Sequence, residues 1–234
     1  MPRCPRIAAA ATLLAAALAI VLAGCGGSSS GNGIESKSPD QILEATKQAA
    51  KSATSVHIAG SIVTGGKPIS LDMELAAGKG GKGTISQEGF TIRIIQTHGR
   101  VYINGTSAFY QHVGGAAAAT LLQGKWLEVP ANSGELASLA DLTDLSKLID
   151  TALASHGTLE KGGTATVEGQ KAVKLTDSTK GGSLYVAATG TPYPLQIAKS
   201  GSESGKVVFD RWNQPVTLSA PPGAIDIGAL QKGG

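Results

Sequence analysis

Apolar residues alternate with polar or small residues over most of the chain from residue 55 onward. Residues 56–62 follow this period of two, a Gly65-Gly66 turn comes next, and residues 69–75 resume the alternation. Because successive side chains of a strand point to opposite faces, the pattern predicts an antiparallel hairpin with one apolar and one solvated face. Further strands are predicted at 84–88, 90–97, 101–104, 125–129, 158–161, 165–167, 172–175, 183–187, 194–199 and 206–212.

The N-terminus has the composition of an export signal. Two arginines precede an Ala/Leu-rich run at residues 7–23, which is typical of a secretory signal peptide. A membrane-spanning helix is less favoured, because the run is short of the roughly 20 residues needed and consists mostly of alanine. Leu22-Ala23-Gly24-Cys25 resembles the bacterial lipobox, in which the cysteine receives a diacylglyceryl group before cleavage. The resemblance implies a signal peptide at residues 1–24 and a lipid-anchored Cys25 on the extracytoplasmic face of the cell membrane.

Charge and cysteine content narrow the possible partners. The formal charge of +3 falls to +1 when Arg3 and Arg6 leave with the signal, so electrostatics give no reason to expect nucleic acid binding. Cys4 also leaves with the signal, and Cys25 would be lipidated. We therefore expect no disulfide and a fold that is held by packing alone.

The remaining chain reads as one domain at residues 38–234, preceded by a Gly/Ser-rich flexible tether at residues 25–37. Residues 38–41 predict a capped helix start, with serine at the N-cap, proline next and glutamine completing a capping box. A helical insert at about 108–156 interrupts the strands, and residues 221–234 are expected to lie along the surface. Within the insert, residues 114–120 are flexible or weakly helical, a short helix is predicted at 133–139, and leucine spacing predicts a clear helix at 142–153.

The sequence contains no motif that predicts catalysis or cofactor binding. Residues 78–83 match the dinucleotide-binding glycine pattern, but a strand rather than a helix is predicted after them, so a hairpin turn is favoured. The four histidines, His57, His98, His112 and His156, are far apart and lack the spacing of a zinc site. We therefore predict no catalytic residue, no metal, no cofactor and no enzymatic activity.

The order of the elements carries a family resemblance. This order resembles that of the actinobacterial LppX/LprAFG lipoproteins and, more distantly, of the LolA-like carriers: signal and lipobox, capped helix, meander, helical insert and a second run of strands. Local similarities lie at residues 184–186, 192–195 and 209–216. The resemblance implies an α+β fold: a strongly curved antiparallel sheet, or half β-barrel, with helices covering its concave face. It also implies an apolar cavity, which the acyl chains of a lipid or lipoprotein occupy in relatives.

Two functions remain open at this point. The first is a membrane-anchored lipoprotein that binds or carries lipid acyl chains. The second is a non-enzymatic cell-surface scaffold or interaction protein with a filled core and an exposed patch around Tyr110, Trp126 or Trp212. For the first, the expected cavity lining is Ile58, Leu71, Met73, Ile92, Ile94, Leu145, Ile149 and Leu153.

The lipobox reading predicts that Cys25→Ser prevents lipidation, because the thiol that accepts the diacylglyceryl group is lost. The mass of the intact protein extracted from membranes of an expressing bacterium should then lack the lipid increment. Cys4→Ser is the matched control and should leave the lipidated mass of the processed protein unchanged. A lipid increment that persists in Cys25→Ser would show that this cysteine is not the anchor.

Overall fold

The computed structural model describes residues 31–130, 140–154 and 156–232, and all its strands belong to one sheet. The twelve strands lie in the order β12-β6-β5-β4-β3-β2-β1-β11-β10-β9-β8-β7, antiparallel except for the parallel pair β12 and β6. The strands are β1 (Ser55–Thr64), β2 (Lys67–Ala76), β3 (Gly80–Gln87), β4 (Phe90–Thr97), β5 (Arg100–Gly105), β6 (Leu127–Pro130), β7 (Leu159–Val167), β8 (Gln170–Asp177), β9 (Ser183–Ala187), β10 (Pro194–Lys199), β11 (Gly205–Asp210) and β12 (Ile225–Asp226). The helices are α1 (Pro39–Ser52), α2 (Ser107–Leu122), α3 (Leu145–Ala154) and α4 (Ile227–Lys232).

The sheet confirms the predicted α+β class and the antiparallel meander, which runs from β1 to β6 without a crossover. Its shape differs from the predicted half β-barrel, because the sheet is open and not strongly curled. β12 and β7 stand at opposite edges and do not pair with each other. β12 has only two residues, and the ladder of β7 with β8 is irregular between Lys161 and Thr164, so neither edge offers a long regular ladder for closure.

The capped start of α1 forms as predicted. The Ser38 hydroxyl accepts a hydrogen bond from the Gln41 backbone N–H at 3.3 Å, and the Gln41 side chain accepts one from the Ser38 N–H at 3.1 Å. Pro39 occupies the first turn, where its missing N–H costs nothing. The helix then buries Ile42 and Ala50 against the sheet.

The predicted flexible tether at residues 25–37 is wrong for its last seven residues. Residues 31–37 pack on the domain, because Ile34 is only 1% exposed and Asn32 donates hydrogen bonds to the carbonyls of Ala187 and Gly190, each at 2.9 Å. The polar composition of this segment gave no sign that Ile34 would be buried or that the Asn32 amide would bind the β9–β10 loop. The tether prediction for residues 25–30 lies outside the described residues.

The helical insert is more ordered at its start than the glycine and alanine content indicated. α2 covers residues 114–120 and kinks at Gly115, whose φ of 74° and ψ of −173° are non-helical. The helix predicted from residue 142 begins at Leu145, because the Asp144 carboxylate accepts the Lys147 backbone N–H at 3.1 Å and so caps α3. The short helix predicted at 133–139 lies outside the described residues.

Three further boundaries differ from the predictions. Residues 80–83 belong to β3 rather than to a turn, since they pair with β2 and β4. The two strands predicted at 158–161 and 165–167 are the single strand β7. The tail contributes β12 to the sheet, with α4 after it, instead of only lying along the surface.

The main core lies on the face of the sheet that α1 and α3 cover, here called the inner face. Ile42 of α1 and Ile149 of α3 pack there with Val56, Leu75 and Val173 from the strands. A smaller cluster of Val167, Ala172, Ala187 and Leu195 occupies the other face. None of the helices in the described ranges is long and apolar enough to cross a membrane.

Burial of Ile34 predicts that Ile34→Ala lowers the free energy of unfolding by roughly 2–5 kcal/mol, since it leaves a cavity beneath the N-terminal segment. The measurement is urea unfolding of the chain from residue 25 onward. Lys37→Ala is the control, because Lys37 is exposed and its removal should change stability by less than about 0.5 kcal/mol. Equal effects of the two substitutions would mean that residues 31–37 form a loose tether after all.

Candidate functional site

An apolar space of about 770 Å³ lies between α3, with the turn before it, and the inner face of β1, β2, β10 and β11. We call it the α3 groove. Its sheet wall is formed by Ile58, Ile62, Leu71, Ile197, Val207 and Phe209. Its helical wall contains Leu142, Leu148, Thr151 and Ala152, with Asp141, Lys147 and Asp150 along the rim.

Strand register assembles the sheet wall. Ile58 of β1 lies opposite Phe209 of β11, and Gly60 lies opposite both Val207 and Leu71. Gly60 is required at this point because it closely approaches β11: a Cβ there would come within 2.1 Å of the Lys206 carbonyl oxygen. The pairing of β1 with β11 that forms the sheet wall therefore depends on this glycine.

The lip of the groove exposes large apolar side chains to water. Ile62 is 37% exposed and Leu142 is 42% exposed, although both lie next to buried apolar neighbours. Exposed apolar surface of this kind, bordered by polar groups, is typical of ligand grooves and interaction sites.

The charged residues at the rim pair with one another or with α1. Lys147 donates to the Asp141 carboxylate at 2.6 Å, and this hydrogen bond raises the pKa of Lys147 above its ordinary value. Lys51 of α1 contacts the Asp150 carboxylate at 2.7 Å. Both pairs are about half exposed, so they contribute little stability and leave the groove walls uncharged.

A second hollow of about 210 Å³ adjoins the groove beneath the C-terminal half of α3. Ala152 and Ile197 line both spaces. The Asp177 carboxylate holds the β8–β9 turn beside this hollow by accepting three backbone N–H groups, from Gly157 at 2.6 Å, Thr179 at 2.9 Å and Lys180 at 2.8 Å. These hydrogen bonds, led by that from Lys180, lower the pKa of Asp177.

Comparison with known proteins gives a match in structure but none in sequence. No protein-family profile and no curated protein sequence matches the chain. LprF from Mycobacterium bovis superposes with a TM-score of 0.55 at 15% identity, over 80% of this chain and 100% of LprF. The Mycobacterium tuberculosis lipoprotein LppX gives 0.50 at 18% identity, over 78% of this chain and 100% of LppX. The chain has the LprF/LppX fold.

The match confirms the resemblance to the LppX/LprAFG lipoproteins at the level of fold. A LolA superfamily protein from Nitrosomonas europaea aligns over 80% of this chain and 96% of its own, but the TM-score of 0.28 and 7% identity are too low to support an inference. The shared fold therefore does not determine the ligand of this chain, which depends on the side chains that line its own groove.

The LprF/LppX fold separates the eight residues predicted to line a cavity. Ile58 and Leu71 lie together in the α3 groove, and Leu153 lines the second hollow. Ile92 is half-buried beside the core. The remaining four are buried in the main core, namely Met73, Ile94, Leu145 and Ile149.

Several groove residues were not among those predicted. Ile197 of β10 and the pair Val207 and Phe209 of β11 come from strands about 140 residues after β1, and only the pairing of β1 with β11 brings them to the groove. Their alternation was visible in the sequence, but nothing local indicated which strand they would lie beside.

None of the three aromatic residues named as alternative centres of an exposed patch is fully exposed. The prediction that Tyr110 is exposed is wrong. Its side chain is buried, with 1% exposure, and its hydroxyl accepts a hydrogen bond from the Gly105 N–H at 3.0 Å. Trp212 is half-buried and stacks on Tyr193 with ring centroids 4.4 Å apart. Trp126 is half-buried too, beneath the Arg93 guanidinium.

On the outer face, opposite the groove, His57 lies between two carboxylates. Its Nδ1 is 2.5 Å from Asp210 and its Nε2 is 3.1 Å from Asp72. The carboxylates contact opposite sides of the ring, so they fix the imidazole rather than converge on a metal. No group of three or more metal-ligating side chains occurs in the described ranges.

The hydrogen bonds to Asp177 predict a pH-dependent contribution to stability. A depressed pKa in the folded state means that the ionised carboxylate stabilises the fold above the unfolded pKa of about 3.9. This contribution disappears as the pH falls through the folded pKa. Asp177→Asn should therefore lower the melting temperature at pH 7, because the amide NH2 group would face a backbone N–H donor. The difference in melting temperature between this variant and the unmodified chain should shrink below about pH 4. Glu160→Gln, on an exposed position of β7, should have no comparable effect.

Proposed function

We propose that this chain is a membrane-anchored lipoprotein that binds or carries lipid acyl chains in the α3 groove, on the outer face of the cytoplasmic membrane. The groove itself supports the proposal most directly: opposed apolar walls from sheet and helix border about 770 Å³, and Ile62 and Leu142 remain exposed at the lip. An acyl chain would cover these side chains and shed its own hydration.

The lipobox at residues 22–25 and the LprF/LppX fold support the same proposal. LppX is itself a lipoprotein. The proposal is non-enzymatic, since the groove walls are apolar apart from Thr151 and the rim carboxylates of Asp141 and Asp150 are paired with lysines.

The physical driving force gives the proposal a quantitative consequence. Each methylene that leaves water contributes about 0.8 kcal/mol, which corresponds to roughly a fourfold gain in affinity. Affinity for straight-chain fatty acids should therefore rise with chain length until the groove and the adjoining hollow are filled, and then level off.

A filled-core scaffold is the second candidate, and one observation favours it. Met73, Ile94, Leu145 and Ile149 already fill the main core between α3 and the sheet. If the groove beside them never holds a ligand, the domain is an anchored surface module whose partner binds elsewhere.

Adjacent valines on β11 provide a matched test. Val207 lines the α3 groove, whereas Val208 points to the outer face of the same strand, and both are half-buried. Val207→Phe should weaken binding of a fluorescent long-chain fatty acid by roughly tenfold or more, because the ring occupies volume that the chain needs. Val208→Phe should bind like the unmodified chain, and Val207→Ala should retain binding because it adds room.

The measurement is fluorescence titration of the chain from residue 25 with Cys25→Ser, with melting temperatures checked for each variant. Native mass spectrometry of protein from its own host should also show a bound lipid. Absence of binding in every variant, including the unmodified domain, would reject the carrier proposal and leave the scaffold.

A further inference from the structure

Helix α2 exposes an apolar, uncharged surface at one end of the sheet. Tyr110 is its only buried residue, whereas Val113 is 60% exposed and Leu121 is 63% exposed. Residues 101–124, which include the whole helix, contain no lysine, arginine, aspartate or glutamate. Gln111 and His112 are exposed polar residues of α2, but large apolar side chains left exposed on a helix without Lys, Arg, Asp or Glu are normally covered, either by protein or by lipid.

The charges that flank α2 have one sign. Residues 89–127 contain three cations, Arg93, Arg100 and Lys125, and no carboxylate, and of these Arg100 pairs with Glu128 just beyond the range. Neither Arg93 nor Lys125 forms a salt bridge with a carboxylate in the described part of the chain. The Arg93 guanidinium donates to the Asn104 side-chain oxygen at 2.6 Å and lies 5.4 Å from the ring centre of Trp126, which leaves its charge without a counter-ion. Apolar side chains bordered by tryptophan, arginine and lysine match the layers of a phospholipid bilayer, whose acyl region is bordered by phosphates.

A continuous apolar row connects α2 to the α3 groove. Leu71 of the groove wall lies opposite Ile85 in β3, and Ile85 lies opposite Ile92 in β4. All three side chains are half-buried on the inner face. Ile92 in turn lies opposite Gly105, where the ring of Phe109 from α2 fills the space that a Cβ would need.

We propose that α2 docks on the surface of a phospholipid bilayer and places the groove within reach of the lipids there. Val113 and Leu121 enter the acyl boundary, and Arg93 and Lys125 contact phosphates. The row of Leu71, Ile85 and Ile92 then gives an acyl chain an apolar path between bilayer and groove. This inference rests on the proposed function for the identity of the cargo, but the docking step can be tested alone.

The test uses the chain from residue 25 with Cys25→Ser, so that no lipid anchor contributes to membrane binding. This chain retains every described core residue, since the first of them is Ile34. Co-flotation is measured with vesicles of phosphatidylcholine alone and of phosphatidylcholine mixed with phosphatidylglycerol. We expect binding to both, stronger and salt-dependent with phosphatidylglycerol because of the unpaired cations.

The double variant Val113→Glu/Leu121→Glu should lose roughly tenfold or more in vesicle affinity, because two apolar side chains no longer leave water. The matched control is Gln111→Glu/Gln123→Glu, which adds the same charge at exposed polar positions of α2 and its C-cap. The control should retain most binding to phosphatidylcholine vesicles. An equal loss in both double variants would attribute the effect to charge and overturn the proposal.

Failure of docking and failure of cargo binding give different results. Val207→Phe should lose fatty acid binding but still float with vesicles, whereas Val113→Glu/Leu121→Glu should bind dissolved fatty acid normally. If the unmodified chain does not float with either kind of vesicle, the docking proposal is wrong. A dimer in sedimentation velocity that the Val113→Glu/Leu121→Glu variant abolishes would also overturn it, since a second copy would then be the cover of α2.

Discussion

The pairing of β1 with β11 is the contact on which the rest of the structure depends. It joins the N-terminal meander to the C-terminal strands across about 150 residues of sequence, so it must overcome a large loop-closure entropy. Both faces of the seam reinforce it. Ile58 packs with Phe209 on the inner face, while His57 is held between Asp210 and Asp72 on the outer face. Without this seam neither the main core nor the wall of the α3 groove would exist.

The groove and the core draw on the same apolar face. Leu145 and Ile149 turn inward and are buried, whereas Leu142 and Leu148, on the turn before α3 and on the helix itself, border the groove. Stability and ligand binding therefore compete for the same apolar area of the sheet, because the part that α3 leaves uncovered is the part that a ligand can contact. A helix that covered all of it would give a more stable domain with no space for an acyl chain.

The sequence predicted what depends on local pattern. Alternation located eleven of the twelve strands to within a few residues, two of the predicted segments proving to be one strand, and the capping box located the start of α1. Prediction failed where distant parts of the chain meet. Val207 could not be assigned to the groove, because a strand's period shows which residues share a face but not which strand lies alongside. Ile34 looked like part of a linker, because its burial depends on contacts with strands far along the chain.

The two ends of the sheet have different roles. Gly31 bridges to Thr189 after the end of β9, whereas Ile62 and the start of α2 lie at the other end, beside the β1–β2 turn. The chain therefore enters the described domain at the end of the sheet opposite the lip of the groove. A ligand that arrives at Ile62 meets the sheet about 33 Å, the span of a ten-residue strand, from that point of entry.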